Sequence, residues 1–129
     1  MTSANLIKIN TTPTIKLSSH EEPVIHHQIA SFIACDEYFT MYGQEMYPVY
    51  QPGQVMMCKE LIDWDFIPFG NAFLVVTDSM RLVRYVKKSS CPDSVKLVSE
   101  NSHFDTFEIP KSSIKRLYIV TATIKRCGI

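Results

Sequence analysis

Three groups of side chains in this sequence are of types that catalysis or metal binding uses. His20, His26 and His27 lie close together, with Glu21 and Cys35 nearby. Imidazole, carboxylate and thiolate together make a zinc-type donor set. The spacing argues against one. Adjacent histidines on a helix point to different sides, and no partner pair stands at ligand spacing. They read as surface or half-buried histidines, and no metal is expected. Cys35, Cys58, Cys91 and Cys127 are spread along the chain with no C-x-x-C. A disulfide framework or a zinc ribbon needs tighter spacing. The cysteines therefore read as reduced thiols in a cytoplasmic protein. The third group is carboxylates. Glu45 with Asp36, Glu37 or Glu60 would be the pair for acid–base hydrolysis. These residues are scattered over predicted turns and strand ends, and nothing fixes two of them at working distance. There is no Gly-rich phosphate loop and no cofactor motif, so no cofactor is expected.

The elements that must position these groups are mainly strands. Apolar and β-branched runs predict strands over Glu37–Tyr42, Val55–Lys59, Ala72–Thr77, Arg81–Lys87, Val95–Ser99 and Arg116–Lys125. Asp78-Ser79-Met80 and Ser89–Asp93 are the linking loops. Asp63–Gly70, with Trp64, Phe66 and Phe69, reads as a loop capping the core. Asn101–Ser113 reads as a longer connection anchored by Phe104, Phe107 and Ile109. Ile25, Ile29, Phe32 and Ile33 recur at helical spacing behind Glu21-Glu22-Pro23, which predicts a short helix over Val24–Cys35. Residues 1–23 are polar and rich in Ser and Thr. They read as a flexible N-terminal arm, with a short strand at Leu6–Ile9, ahead of a β domain over 24–129. The run Leu117–Ile124 is long and β-branched. Taken as an exposed edge, it needs a cover, and two-fold pairing with a second copy predicts a homodimer.

A chain of 129 residues, 46% of them hydrophobic, suits one domain with one real core. Net charge is zero, so no global field recruits nucleic acid or membrane. Carboxylates gather before Asp65 and bases after Arg81. Arg81, Arg84, Lys87, Lys88, Lys111, Lys115, Arg116, Lys125 and Arg126 could line one face, which reads as solvated strand edges. No sequence-specific DNA binding is expected, because no paired helices of a helix-turn-helix are in view. No apolar run reaches the roughly 20 residues that span a bilayer, and the amino terminus lacks the layout of a signal peptide.

Between the first two strands predicted after residue 36 lies Gly43-Gln44-Glu45-Met46-Tyr47-Pro48-Val49-Tyr50-Gln51-Pro52-Gly53-Gln54. Gly43 is expected at positive φ, opening a tight turn. Pro48 excludes a central strand. Pro52-Gly53 fits the centre of a type II turn. The segment resembles the G-D-S-M-Y-P-x-Y-x-x-G-D motif of the LexA/UmuD-like self-cleaving serine peptidases, in the form found in the carboxy-terminal domains of phage-type repressors. Gly43, Met46, Tyr47, Pro48, Tyr50 and Gly53 match. Gln44 and Gln54 stand where that family has aspartate, and Glu45 stands where it has its nucleophilic serine. Phe69–Thr77 is similar to the family's G-x-x-Y-V-V strand. Leu82–Val86 sits where it has L-V-K-R-V, and Val98–Asn101 resembles its S-D-N turn. The resemblance covers roughly residues 36 to 125. It implies a mostly β fold: a twisted antiparallel LexA/signal-peptidase-like sheet with one or two short helices.

The family cuts its own chain with a serine–lysine dyad, in which a desolvated lysine takes the serine proton. Here Glu45 has no hydroxyl. Arg84 stands in the lysine's place, and guanidinium stays protonated at any working pH. Ser79 and Ser89 lie outside the motif. Lys88 is four residues from Arg84, roughly 13 Å at strand rise, and Lys87 points the other way. The family's scissile Ala-Gly or Cys-Gly is missing upstream, and Cys127-Gly128 is at the wrong end. The resemblance therefore implies a catalytically inactive dimerisation or regulatory binding module, in transcriptional or SOS-type regulation, with a DNA-binding regulator as a partner. It also implies that Glu45 and Arg84 meet as an ion pair. The alternatives are an active self-cleaving peptidase and a UmuD-like accessory subunit of a translesion polymerase. The short chain favours the latter, and Met46-Tyr47-Pro48-Val49-Tyr50 speaks for the repressor form instead.

Overall fold

Short runs of β-branched and aromatic residues, cut by Gly, Pro, Asn and Asp, set the secondary structure. The computed structural model of the chain describes residues 14–17 and 35–126. Its strands are β1 (Thr14–Leu17), β2 (Glu37–Thr40), β3 (Val55–Glu60), β4 (Ala72–Thr77), β5 (Arg81–Lys88), β6 (Ser94–Val98), β7 (Phe107–Pro110) and β8 (Ile114–Arg126). The helical content of the described residues is two three-residue 3-10 turns, Trp64–Phe66 and Lys111–Ser113. The fold is thus mostly β, as the sequence predicts. No helix among these residues is long and apolar enough to cross a membrane.

The strand order is β2-β3-β8-β4-β5-β6-β7, and every neighbouring pair is antiparallel. β1 adds to β8 in parallel, with Thr14 opposite Thr123. β8 is therefore not the edge that its composition suggested. It lies between β3, along Tyr118–Ile124, and β4, along Ile114–Ile119. Its β-branched residues suit a strand buried on both faces just as well as an edge. The need to cover a β8 edge with a second copy disappears. Within the stretch that read as an N-terminal arm, residues 14–17 are paired in the sheet. The predicted strand at Leu6–Ile9 and the predicted helix over residues 24–34 lie outside the described residues.

Register shifts bend the long strand twice. Between the Met57 and Cys58 pairings β8 advances from Ala122 to Val120, so Thr121 is the extra residue. Its hydroxyl donates to the Met57 carbonyl at 3.1 Å. Between the Val76 and Thr77 pairings Lys115 is the extra residue. Bulges of this kind bend a strand and increase its twist. The sheet curls until β2 and β5, four places apart in the order, face one another. Arg81 of β5 reaches Glu37 of β2 at 3.2 Å, and its guanidinium carbon sits 5.6 Å from the Phe39 ring centroid.

Both faces of the curled sheet are covered, so β4 is buried at Ala72, Phe73, Leu74 and Val75 alike. On one side Leu74 joins Met46, Tyr50, Met56, Val83 and Val120. On the other Phe73 and Val75 join Val86, Val95, Leu97 and Leu117. The loop over residues 61–70 caps this second side through buried Ile67 and half-buried Trp64, whose Nε1–H donates to the Leu61 carbonyl at 2.8 Å. Phe66 does not take part and projects outward. β7 falls within the stretch that read as a connection. It is four residues long, mostly exposed, and among the described residues paired only with β6.

Candidate functional site

The turn between β2 and β3 is held from four directions. At its base the Met41 N–H donates to the Gln54 carbonyl at 2.9 Å, and the Gly53 N–H donates to the Met41 carbonyl at 2.7 Å. Pro52-Gly53 forms the expected type II turn. Gly53 has φ 93°, and the Gln54 N–H closes on the Gln51 carbonyl at 3.1 Å. Within the loop the Tyr47–Pro48 peptide is cis, and the Tyr50 N–H reaches the Met46 carbonyl at 2.8 Å. Underneath, Met46 is fully buried and Tyr50 nearly so, which pins the loop to the core. From the side comes Asn101. Its backbone N–H donates to the Glu45 carbonyl at 2.9 Å and its Nδ2 to the Gln44 carbonyl at 3.0 Å. The Val98–Asn101 turn thus abuts the motif turn. Gln54 is buried, donating from Nε2 to Thr123 Oγ1 at 3.3 Å while its Oε1 accepts from the Gln51 N–H.

Gly43 differs from its expectation. Positive φ occurs at Gly53 and Gly70, not at Gly43. The Glu45 carboxylate folds back over Gly43, where a Cβ would displace it.

That carboxylate faces Arg84. Nη2 of Arg84 stands 3.9 Å from Oε2 of Glu45, with the side chains 11% and 28% exposed. The two positions that the resemblance assigns to nucleophile and base are brought together as a loose ion pair. Arg84 Nη1 donates to the Val83 carbonyl at 2.9 Å, and its buried Nε has no hydrogen-bond partner. Burial pushes the guanidinium pKa down from its ordinary value, and the attraction of Glu45 opposes that without cancelling it. The pair lines an open cleft of about 170 Å³ between β2 and β5, together with Phe39, Met41, Gly43 and Arg81. Tyr42, 82% exposed, stands at its mouth.

The other candidates are engaged elsewhere. Asp36 meets Lys59 at 3.5 Å, Glu37 meets Arg81, and Glu60 meets Arg116 at 3.3 Å, so none of these carboxylates pairs with Glu45. Ser79 is exposed in the β4–β5 turn. Ser89 is buried, donating to Glu108 at 2.6 Å and accepting from the Cys91 N–H at 3.0 Å. Lys87 and Lys88 are both exposed. Cys35, Cys58 and Cys91 are free thiols, and burial pushes the Cys35 and Cys58 pKa values up, away from reactive thiolate. Among the described residues no cluster of His, Cys, Asp and Glu could hold a metal. His20, His26, His27 and Cys127 lie outside them. Of the nine bases that could line one face, Arg81, Arg84, Lys115 and Arg116 each face a carboxylate, while Lys87 and Lys88 are exposed. Phe39 and Met41 as cleft walls were not visible in the sequence, because strand alternation carries no information on how a sheet curls. No family model matches the chain, and no curated protein matches its sequence.

Proposed function

We propose that this chain is a catalytically inactive domain of the LexA/phage-repressor type, a cytoplasmic regulatory binding module whose binding surface is the cleft between β2 and β5. The observation that carries the reading is the contact of Glu45 with Arg84. A dyad needs a nucleophile and a base that can release its proton. A carboxylate beside an always-protonated guanidinium is neither. Ser89 is committed to Glu108, and Lys87 and Lys88 are exposed on β5. What the cleft retains is a partly apolar wall of Phe39, Met41, Leu82 and Val83. That suits capture of an extended segment from a DNA-binding regulator or another protein of transcriptional or SOS-type regulation. Homodimer formation, without the support of a β8 edge, rests on the resemblance and on β7, which among the described residues is paired only with β6. The test is incubation of the pure protein at alkaline pH. The expected mass is unchanged. A shortened product that vanishes in Glu45→Ala would overturn the proposal.

A further inference from the structure

We infer that the β2–β5 cleft binds a free apolar α-amino acid, with its carboxylate on Arg84, its ammonium on Glu45 and its side chain against Phe39, Met41 and Leu82. The inference goes beyond segment capture, because it needs these side chains and no unpaired strand edge. The opening is about 170 Å³. That is below the roughly 300 Å³ where pockets for drug-sized ligands begin, and it suits a molecule of a few heavy atoms. Arg81 bounds the space on one side, held to Glu37 at 3.2 Å and set 5.6 Å from the Phe39 ring centroid. Its charge is thereby balanced within the protein. Arg84 and Glu45 remain as the polar side chains that meet an occupant.

The state of those two groups sets what fits. Arg84 Nη1 donates to the Val83 carbonyl, whereas Nη2 is 3.9 Å from Glu45 Oε2, beyond hydrogen-bond reach. The Glu45 carboxylate accepts no hydrogen bond among the described residues. Opposite charges thus lie side by side in the cleft, each with hydrogen-bonding capacity left. A lone carboxylate gains Arg84 but is repelled by Glu45, and a lone ammonium gains Glu45 but is repelled by Arg84. A neutral apolar molecule takes water from both and returns nothing. An α-amino acid carries ammonium and carboxylate on one carbon. Laid antiparallel to the protein's pair, it meets each group with the opposite charge, through charge-assisted hydrogen bonds. A peptide holds those two charges at opposite ends, so only a single amino acid presents both here. The walls add a second criterion. Met41 and Val83 are buried and Phe39 and Leu82 half-buried, so an aliphatic side chain is favoured over none.

The experiment titrates the isotope-labelled protein with L-leucine and reads the Gly43, Glu45 and Arg84 amide resonances. Three further probes each lack one feature: isocaproate the ammonium, isoamylamine the carboxylate, and glycine the side chain. Leucine is expected to bind in the millimolar range, as its few heavy atoms allow, and at least about tenfold tighter than each of the other three. In Glu45→Gln its preference over isocaproate is expected to fall to about twofold or less, and in Arg84→Met its preference over isoamylamine likewise. Both variants are checked for unchanged circular dichroism; if either unfolds, the order of the four probes on the parent protein decides. No shift with leucine at tens of millimolar overturns the site. Isocaproate or isoamylamine binding as tightly as leucine overturns recognition of the paired charges, and glycine doing so overturns the role of the apolar walls. Preferences that persist in both variants overturn the assignment to Glu45 and Arg84. None of these results bears on self-cleavage, which the alkaline incubation tests separately.

Discussion

Removing the charges of Glu45 and Arg84 one at a time and together, as Glu45→Gln, Arg84→Met and the double variant, isolates their coupling energy. Two unit charges at the observed 3.9 Å attract by about 4 kcal/mol at an effective dielectric of about 20, and by about 1 kcal/mol in water. The Glu45 side chain keeps 28% of its exposure and the cleft is open, so solvent screens the pair toward the lower figure. The expected coupling is about 1 kcal/mol in low salt, and it should shrink at 1 M salt, where the screening length is about 3 Å. Arg84→Met alone is expected to change stability by no more than about 1 kcal/mol. It gives up the Nη1 bond to Val83, but it also removes a buried Nε without a partner and a guanidinium held at a desolvation cost. Urea unfolding followed by the fluorescence of Trp64, the single tryptophan, reads all four proteins. Zero coupling at low salt would mean that the side chains do not meet in solution. Coupling above about 3 kcal/mol would mean a sealed pair, and the account of an open cleft would be wrong.

Met46 is fully buried under the turn, so Met46→Ala is expected to cost about 2–5 kcal/mol in urea unfolding, while the exposed neighbour Val49→Ala costs under about 0.5 kcal/mol. Gly43→Ala places a methyl group where the Glu45 carboxylate lies; the carboxylate should swing away, and the coupling with Arg84 measured in that background should vanish. Asp36 is held below its ordinary carboxylate range, first by the Glu60 N–H at 2.8 Å and then by Lys59. A depressed folded pKa stabilises above the unfolded value and the benefit is lost as pH falls through the folded one. Asp36→Asn should therefore be less stable than the parent at neutral pH, and the gap should close as pH falls below about 3.9 in urea unfolding series.

The strands that are legible in the sequence are those with enough residues to show a pattern. β4 spans the predicted Ala72–Thr77, β3 and β5 run one residue further at their ends, and β6 is shifted by one residue. β7 is not legible, because Phe107-Glu108-Ile109-Pro110 is short, exposed and ended by proline, and pairing with β6 rather than its own composition makes it a strand. The place of β8 is not legible either: a β-branched run signals a strand but not its neighbours. At the site, the type II turn at Pro52-Gly53 follows from local chemistry, whereas the close approach at Gly43 comes from the Glu45 side chain two residues on. The meeting of Glu45 with Arg84 depends on the curl that Thr121 and Lys115 introduce, and no local signal marks those two as bulged.

The central place of β8 also dictates an order of assembly. β3 and β4 are near neighbours in the chain, yet they touch through β8, whose first residue comes 37 positions after the last of β4 (114 − 77 = 37). Until that strand is available, β3 and β4 each present a hydrophobic edge, Val55-Met56-Met57-Cys58 and Ala72-Phe73-Leu74-Val75-Val76, with nothing between them. During synthesis the ribosome must therefore release residues 114–126 before the sheet can close, and contacts this distant in sequence form slowly. For that interval the β2–β3 and β4–β7 pairings can form without closing on one another, and the nascent chain is exposed to strand exchange and aggregation at β3 and β4.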